Sequence, residues 1–271
     1  MLNAQELAAK ASFPILMYHS ISSSVSRDFR PFAVEAGHFE EHIRLIKESG
    51  YRCWTVSGLL DALKIDPDAA RNAVVITFDD GFRDFYTDAL PILMKYGATA
   101  TLYVVTGAVG GTSAWLSQSG EGSRRMLDWR QIKEMHDLGV EVGAHTITHP
   151  QLDGIPVERA REEIAASKHT LEDKLGVGVR SFAYPYGFYN RPVRGLVDEA
   201  GYDSACAVRY AMSSAADDRF ALARHIVRHG AGAIHIKALL AGRPPLIPLI
   251  YDRARSRSWK LVRQALPGVR Q

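Results

Sequence analysis

Two aspartates stand side by side at Asp79 and Asp80, and two histidines stand four residues apart at His145 and His149. Two imidazoles and one carboxylate, with other coordination positions open, make a donor set for a catalytic divalent metal. Open positions admit water, and such a cation lowers the pKa of that water to about 7. A second carboxylate nearby can then take the proton. On this reading Asp80, His145 and His149 are the metal ligands and Asp79 is the base. Each signal is weak alone. Asp-Asp-Gly also suits an aspartate N-cap followed by a glycine turn, and a His-x-x-x-His pair also suits two loop histidines. Pro150 argues against a helix running on through His149, which favours a loop. Neighbouring residues at a strand end point to opposite sides, so the two carboxylates are expected to do separate jobs.

These residues need elements to position them. Apolar, β-branched runs predict strands over Pro14–Tyr18, Ala73–Phe78, Thr99–Val105, Val140–Ala144, Ser181–Tyr184, Ser204–Val208 and Ala223–Val227. Amphipathic stretches predict helices over Ala36–Ser49, Val56–Leu63, Tyr86–Tyr96, Trp129–Leu138, Pro156–Leu175, Pro192–Ala200 and Ala233–Leu240. Such alternation implies a mostly parallel sheet, open or closed into a barrel. His19, Asp79, Asp80, His145 and Tyr186 each fall just past a predicted strand. In parallel α/β folds those strand ends share one face, and that face carries the active site. No G-x-G-x-x-G follows a strand, which weakens a dinucleotide-binding reading. The Gly- and Ser-rich stretch Gly107–Ser123 reads as a long functional loop.

Composition narrows the classes. With 271 residues, 46% hydrophobic and 23% charged, the chain can bury a core and resembles neither a disordered nor a membrane-spanning protein. A net charge of +3 does not argue for nucleic acid. The charge is uneven, because from Arg243 to Gln271 six arginines and one lysine against one aspartate make +6, which leaves −3 for the rest. Cys53 and Cys206 are in no ligand or redox pattern and read as reduced, packed thiols. The first residues, MLNAQELAAKASFP, lack a long apolar run, so a cytoplasmic location is expected.

Three segments carry a resemblance to a known family. Thr77–Gly81 reads TFDDG, His145–His149 reads HTITH and Phe182–Gly187 reads FAYPYG. Together and in this order they resemble the motifs of the polysaccharide deacetylases of carbohydrate esterase family 4, the NodB-homology group, over roughly residues 13 to 230. The resemblance implies a distorted (β/α)7 barrel of parallel strands. It also implies that Asp79 is the general base, that Asp80, His145 and His149 bind the metal, and that the Tyr186 N–H helps hold the oxyanion. Zinc is the default ion for this donor set, with cobalt, nickel or iron as alternatives.

Two departures from the family pattern stand out. The third-motif arginine that braces the catalytic aspartate is replaced by Ala183, and Arg224, on the last predicted strand, is the candidate substitute, with Arg180 as the alternative. The Leu-x-His of the final strand, which supplies the general acid, is missing near the C-terminus, whereas Met17-Tyr18-His19 matches it near the N-terminus. This resembles the permuted branch that includes poly-N-acetylglucosamine deacetylases. First and last strands of a closed barrel are neighbours, so a strand moved between chain ends can occupy the same place. His19 is therefore the expected general acid, and Met17 is expected to line the acetyl pocket.

The expected activity is removal of N-acetyl groups from N-acetylhexosamine units of an exopolysaccharide or lipid-linked glycan. O-acetyl ester hydrolysis, other C–N cleavage or weak glycan binding on the same scaffold are the alternatives. Tyr184, Phe188, Tyr189, Trp115 and Trp129 could stack on sugar rings, although Trp129 better suits the packed start of a helix. Residues 1–242 are taken as the catalytic domain and residues 243–271 as a basic tail. That tail suits either peripheral contact with the inner membrane face or a helix packed on the barrel.

Overall fold

The computed structural model describes residues 12–243. Eight strands join one sheet: β1 (Ile15–Tyr18), β2 (Arg52–Trp54), β3 (Ala73–Phe78), β4 (Thr101–Val104), β5 (Glu141–Ala144), β6 (Ser181–Ala183), β7 (Ser204–Cys206) and β8 (His225–Ile226). Seven of them follow one another in the order β7-β6-β5-β4-β3-β1-β8, every pair parallel, while β2 pairs with the start of β3. The run into β8 bonds back to the far edge, Ala207 N–H to the Leu222 carbonyl at 2.8 Å and Leu222 N–H to the Ala205 carbonyl at 3.0 Å. The sheet thus curls into a distorted barrel, as expected. First and last strands are neighbours: His225 and Ile226 are in register with Leu16 and Met17.

Alternation along β3 explains the layering. Val74, Ile76 and Phe78 face outward into the larger core, and Ala73 and Val75 face inward with Ile15, Tyr103, Ala183 and Cys206. All six residues of β3 are buried, the pattern of a parallel strand covered on both faces. Each fully buried Val, Ile or Phe contributes about 1.5–3 kcal/mol, which offsets the cost of the charges placed inside the barrel. Gly143 makes the interior fit. A Cβ there would lie 2.6 Å from the Tyr103 ring and 2.8 Å from the Ser181 carbonyl oxygen. Its absence lets Tyr103 cross β5 and bond Ser181 Oγ at 2.6 Å.

The outer layer comprises α1 (Ala36–Glu48), α2 (Val56–Ile65), α3 (Leu90–Lys95), α4 (Trp129–Asp137), α5 (Val157–Leu175), α6 (Arg191–Glu199) and α7 (Ala233–Leu240). Phe39, His42, Ile43 and Ile46 of α1 are buried at a three-to-four spacing, with Leu45 buried beside them. Asp128 and Gln131 form a capping box at the start of α4.

Three expectations change. The helix read over Tyr86–Tyr96 is split: a π-turn covers Phe85–Ala89, in which Leu90 N–H reaches back to the Phe85 carbonyl, and α3 follows. β2 was not read, because Arg-Cys-Trp is too short and mixed to show a period. The stretch Gly107–Ser123 is not bare loop, since it holds a 3₁₀ turn over Ala114–Ser119. No helix among the described residues is long and apolar enough to cross a membrane. The expectations for the basic tail fall almost wholly on residues 244–271, outside the described residues.

Candidate active site

The inward row of β3 runs Ala73, Val75, Thr77 and then Asp79, so alternation alone delivers the Asp79 carboxylate to the mouth of the barrel. Arg224 meets it from the run into β8. Its Nη1 donates to Asp79 Oδ1 at 2.6 Å and its Nη2 to Oδ2 at 2.7 Å. Nε donates to the Ala207 carbonyl and Nη1 also reaches Thr77 Oγ1, both at 3.3 Å. Arg224 is fully buried, with the Tyr103 ring 5.4 Å from its guanidinium carbon. Burial pushes the Asp79 carboxyl up, but the Arg224 and His145 charges outweigh it and hold the carboxyl below its ordinary value. Arg180, the other candidate, is engaged elsewhere: it pairs with Asp61 at 2.6 Å and Asp203 at 2.6 Å.

Asp80 does not point away from Asp79, contrary to the strand-end expectation. Its backbone is left-handed, with φ 75°, which ends the alternation and turns its side chain back to the site. His145 Nε2 consequently lies 4.0 Å from Asp79 Oδ2 and 3.5 Å from Asp80 Oδ1. His149 Nε2 lies 3.3 Å from the same Asp80 oxygen. Thr146, His149 and Tyr186 are left-handed too, at φ 69°, 60° and 59°. Four non-glycine residues in this costly conformation converge on one place, as backbone strain does at functional sites.

Each imidazole is oriented from behind. His145 follows β5, and its Nδ1–H donates to the Ala183 carbonyl at 2.7 Å, which leaves the Nε2 lone pair facing Asp80. Ala183 therefore contributes its backbone where the family's arginine would contribute a side chain. Burial drives the His145 pKa down to about 4. The loop carrying His149 is held by Glu163 of α5, a residue the sequence reading missed. Its Oε2 accepts the Ile147 and Thr148 N–H groups at 2.8 and 2.9 Å, and its Oε1 accepts the Thr148 hydroxyl at 2.6 Å. Glu163 is fully buried on the face that also buries Ala160, Ile164 and Ser167. A lone acid on an inward helical face was the available signal.

His19 sits at the end of β1, edge-on to Phe32 at 5.1 Å, with its Nδ1 buried and unpartnered. Burial lowers its pKa, against the opposing pull of the Asp80 and Asp79 charges. Met17 is buried two residues back along the same strand, in register with Thr77. The Tyr186 ring packs edge-on against His149 at 4.7 Å and is 39% exposed. Its turn is fixed by Gly187, at φ 74°, where a Cβ would overlap Val208 at 2.6 Å. Trp115 stacks on His149 at 5.2 Å. Tyr184 is a correction. It is fully buried, its hydroxyl donates to the Phe220 carbonyl at 3.0 Å and its ring stacks on Tyr189, so it cannot meet a sugar. The tyrosine continues the strand pattern of β6 outward into the core.

The donor set fits a divalent cation. Asp80 Oδ1 is buried without a hydrogen-bond partner, while Asp80, His145 and His149 offer ligand atoms within 4.8 Å of one another. Bonds of about 2.0–2.1 Å in a tetrahedral site separate ligand atoms by about 3.3 Å. The Asp80–His145 and Asp80–His149 spacings of 3.5 and 3.3 Å match that value.

Comparison with known proteins agrees with this architecture. A family model, "Polysaccharide deacetylase", matches residues 66–205, which include Asp79, Asp80, His145, His149 and Tyr186 but neither His19 nor Arg224. YxkH of Bacillus subtilis (strain 168), named for the polysaccharide deacetylases, is 31% identical over 220 residues, 81% of this chain and 73% of that one. The poly-beta-1,6-N-acetyl-D-glucosamine N-deacetylase of Staphylococcus aureus (strain MRSA252) is 26% identical over 187 residues, 66% of this chain and 62% of that protein. Among solved structures, Streptococcus pyogenes deacetylase PplD in complex with acetate superposes with a TM-score of 0.73 at 29% identity, covering 86% of this chain and 99% of that one.

Proposed function

Because this chain belongs to the polysaccharide deacetylase family, we propose that it is a metal-dependent hydrolase that removes N-acetyl groups from N-acetylglucosamine units of a glycan. The observation that carries the reading is the buried, unpartnered Asp80 oxygen facing two Nε2 atoms at ligand spacing, with a second carboxylate alongside. A divalent cation held by Asp80, His145 and His149 supplies Lewis acidity to the acetamide carbonyl and to water.

The remaining steps belong to the chain's own groups. Arg224 keeps Asp79 ionised and aimed, and each Asp79 oxygen keeps a lone pair for a proton from the attacking water. The Tyr186 N–H donates to the oxyanion, a contact of a kind whose loss typically costs about 3–4 kcal/mol of barrier. His19 passes a proton to the departing amine from its protonated form, which the lowered pKa makes the minority at neutral pH. The proton gained at Asp79 equals the one lost at His19, so exchange with solvent resets the pair. Met17 lines the pocket for the acetyl methyl, and Trp115 with Tyr186 offers ring faces to the sugar.

The glycan assignment follows the staphylococcal relative's named substrate. The match spans 62% of the length of the S. aureus protein. Acetate release from β-1,6-linked N-acetylglucosamine oligomers, with and without a chelator, tests the reading. Metal-dependent release is expected. Release only from O-acetylated substrates would move the enzyme to ester hydrolysis, and no release from either would leave a glycan-binding scaffold.

A further inference from the structure

Outside the metal site, one buried ionic cluster is used by nothing described so far. Arg124, 12% exposed, donates from Nη2 to Asp84 Oδ2 at 2.7 Å and to Ser20 Oγ at 2.5 Å, and from Nη1 to Glu121 Oε2 at 3.0 Å. Its guanidinium carbon lies 5.6 and 5.4 Å from the Phe29 and Phe82 rings. Asp84 also accepts the Ser20 hydroxyl at 2.7 Å and the Ile21 N–H at 3.3 Å. Glu121 also accepts the Ser26 N–H, and Ser26 Oγ donates to the Ser119 carbonyl at 2.6 Å.

These partners come from three segments. Ser20, Ile21 and Ser26 follow His19, Asp84 follows the Asp79–Asp80 pair, and Glu121 belongs to the loop that carries Trp115. The apolar contacts run the same way. Phe29 and Phe82 lie under the guanidinium and pack with Met126, Trp115 and Phe32, and Phe32 is the ring beside His19. Ser113, fully buried, closes the Trp115 loop on itself through the Glu121 carbonyl at 2.6 Å.

We infer that Arg124 is a positioning residue that ties the segment after His19 and the Trp115 loop into one rigid wall of the substrate groove. It touches no reacting atom. A guanidinium suits the task because its donors are splayed in a plane and reach three acceptors at once, which an ammonium on a flexible stem does not reproduce. The wall's effect on substrate rests on the deacetylase reading above; the coupling of the two segments does not.

The test uses Arg124→Lys and the milder Glu121→Gln in the full chain. Amide hydrogen exchange is followed by mass spectrometry over residues 19–32 and 106–127, alongside steady-state kinetics on an N-acetylglucosamine oligomer and on a small aryl acetate. Losing charged hydrogen bonds at a shared node should speed exchange in both segments together by about tenfold or more. KM for the oligomer should rise by a similar factor while kcat and aryl acetate cleavage change less than about threefold. Glu121→Gln should shift both segments in the same direction and by less, and it serves if Arg124→Lys does not fold. Faster exchange confined to 106–127, or an equal loss on both substrates, would overturn the inference. Coupled exchange in a chain that releases no acetate would sustain the coupling and sink the deacetylase reading instead.

Discussion

Arg224 donates both terminal nitrogens to Asp79, at 2.6 and 2.7 Å, and the two side chains are 0% and 5% exposed. The pair joins the run into the last strand to the end of the third, two segments 145 residues apart. Neither charge has water to fall back on, so each depends on the other.

Asp79→Asn should abolish most turnover, by about 10²–10⁴-fold or more for loss of a general base, while the bound metal stays near wild-type stoichiometry. Metal analysis of the purified variant separates the two effects. Near-normal rates would remove Asp79 from the base role.

Arg224→Gln leaves the buried Asp79 unpaired. It should destabilise the fold by about 3–5 kcal/mol, read from urea midpoints, and Asp79→Asn on top should recover part of that loss. A double variant no more stable than Arg224→Gln alone would contradict the pairing.

Divalent metal should stabilise the folded chain with the logarithm of its excess over Kd, about 2.7 kcal/mol at a hundredfold excess. Asp80→Asn or His149→Ala should remove most of that thermal shift. An unchanged shift in both variants would place the ion elsewhere.

Glu163→Gln replaces an acceptor of four donors with an amide that accepts at one atom only. The His149 loop loses its anchor, and metal affinity should fall about 10–100-fold, the usual cost of disturbing a group behind a ligand. Wild-type affinity in this variant would make Glu163 a matter of stability only.

His42 is fully buried, accepts Tyr18 O–H at Nδ1 (3.1 Å) and donates from Nε2 to the Ala231 carbonyl (2.6 Å), so it is held neutral. Burial lowers its pKa from 6.5 to about 4. The unfolded chain takes up a proton below 6.5 that the folded chain refuses, so stability falls as pH drops from 6.5 toward 4. His42→Gln should be less stable at neutral pH but lose less over that window. Equal slopes for the two proteins would show that other groups govern it.

The sequence by itself determined what local chemistry can specify. Apolar runs set the parallel strands, because a strand buried on both faces is filled mostly by apolar side chains, as in Ala73–Phe78, where Thr77 alone is polar. His19, Asp79, Asp80, His145 and Tyr186 were marked by lying just past such runs, where strand ends share a face, and His149 by its spacing from His145. Only the tertiary structure decided the rest. The left-handed turn at Asp80 brings both carboxylates to one side, and no periodicity reports a backbone angle. Tyr184 was misjudged because a strand's last residue faces core or mouth according to register, which depends on its neighbours. Glu163 reaches the Thr148 N–H from its helix across 15 residues of chain, and Arg124 reaches Ser20 from its loop across 104. Between Arg224 and Arg180, equal in composition and both next to strands, the choice came from barrel closure, which sets Arg224 against Asp79 and leaves Arg180 beside Asp61 and Asp203.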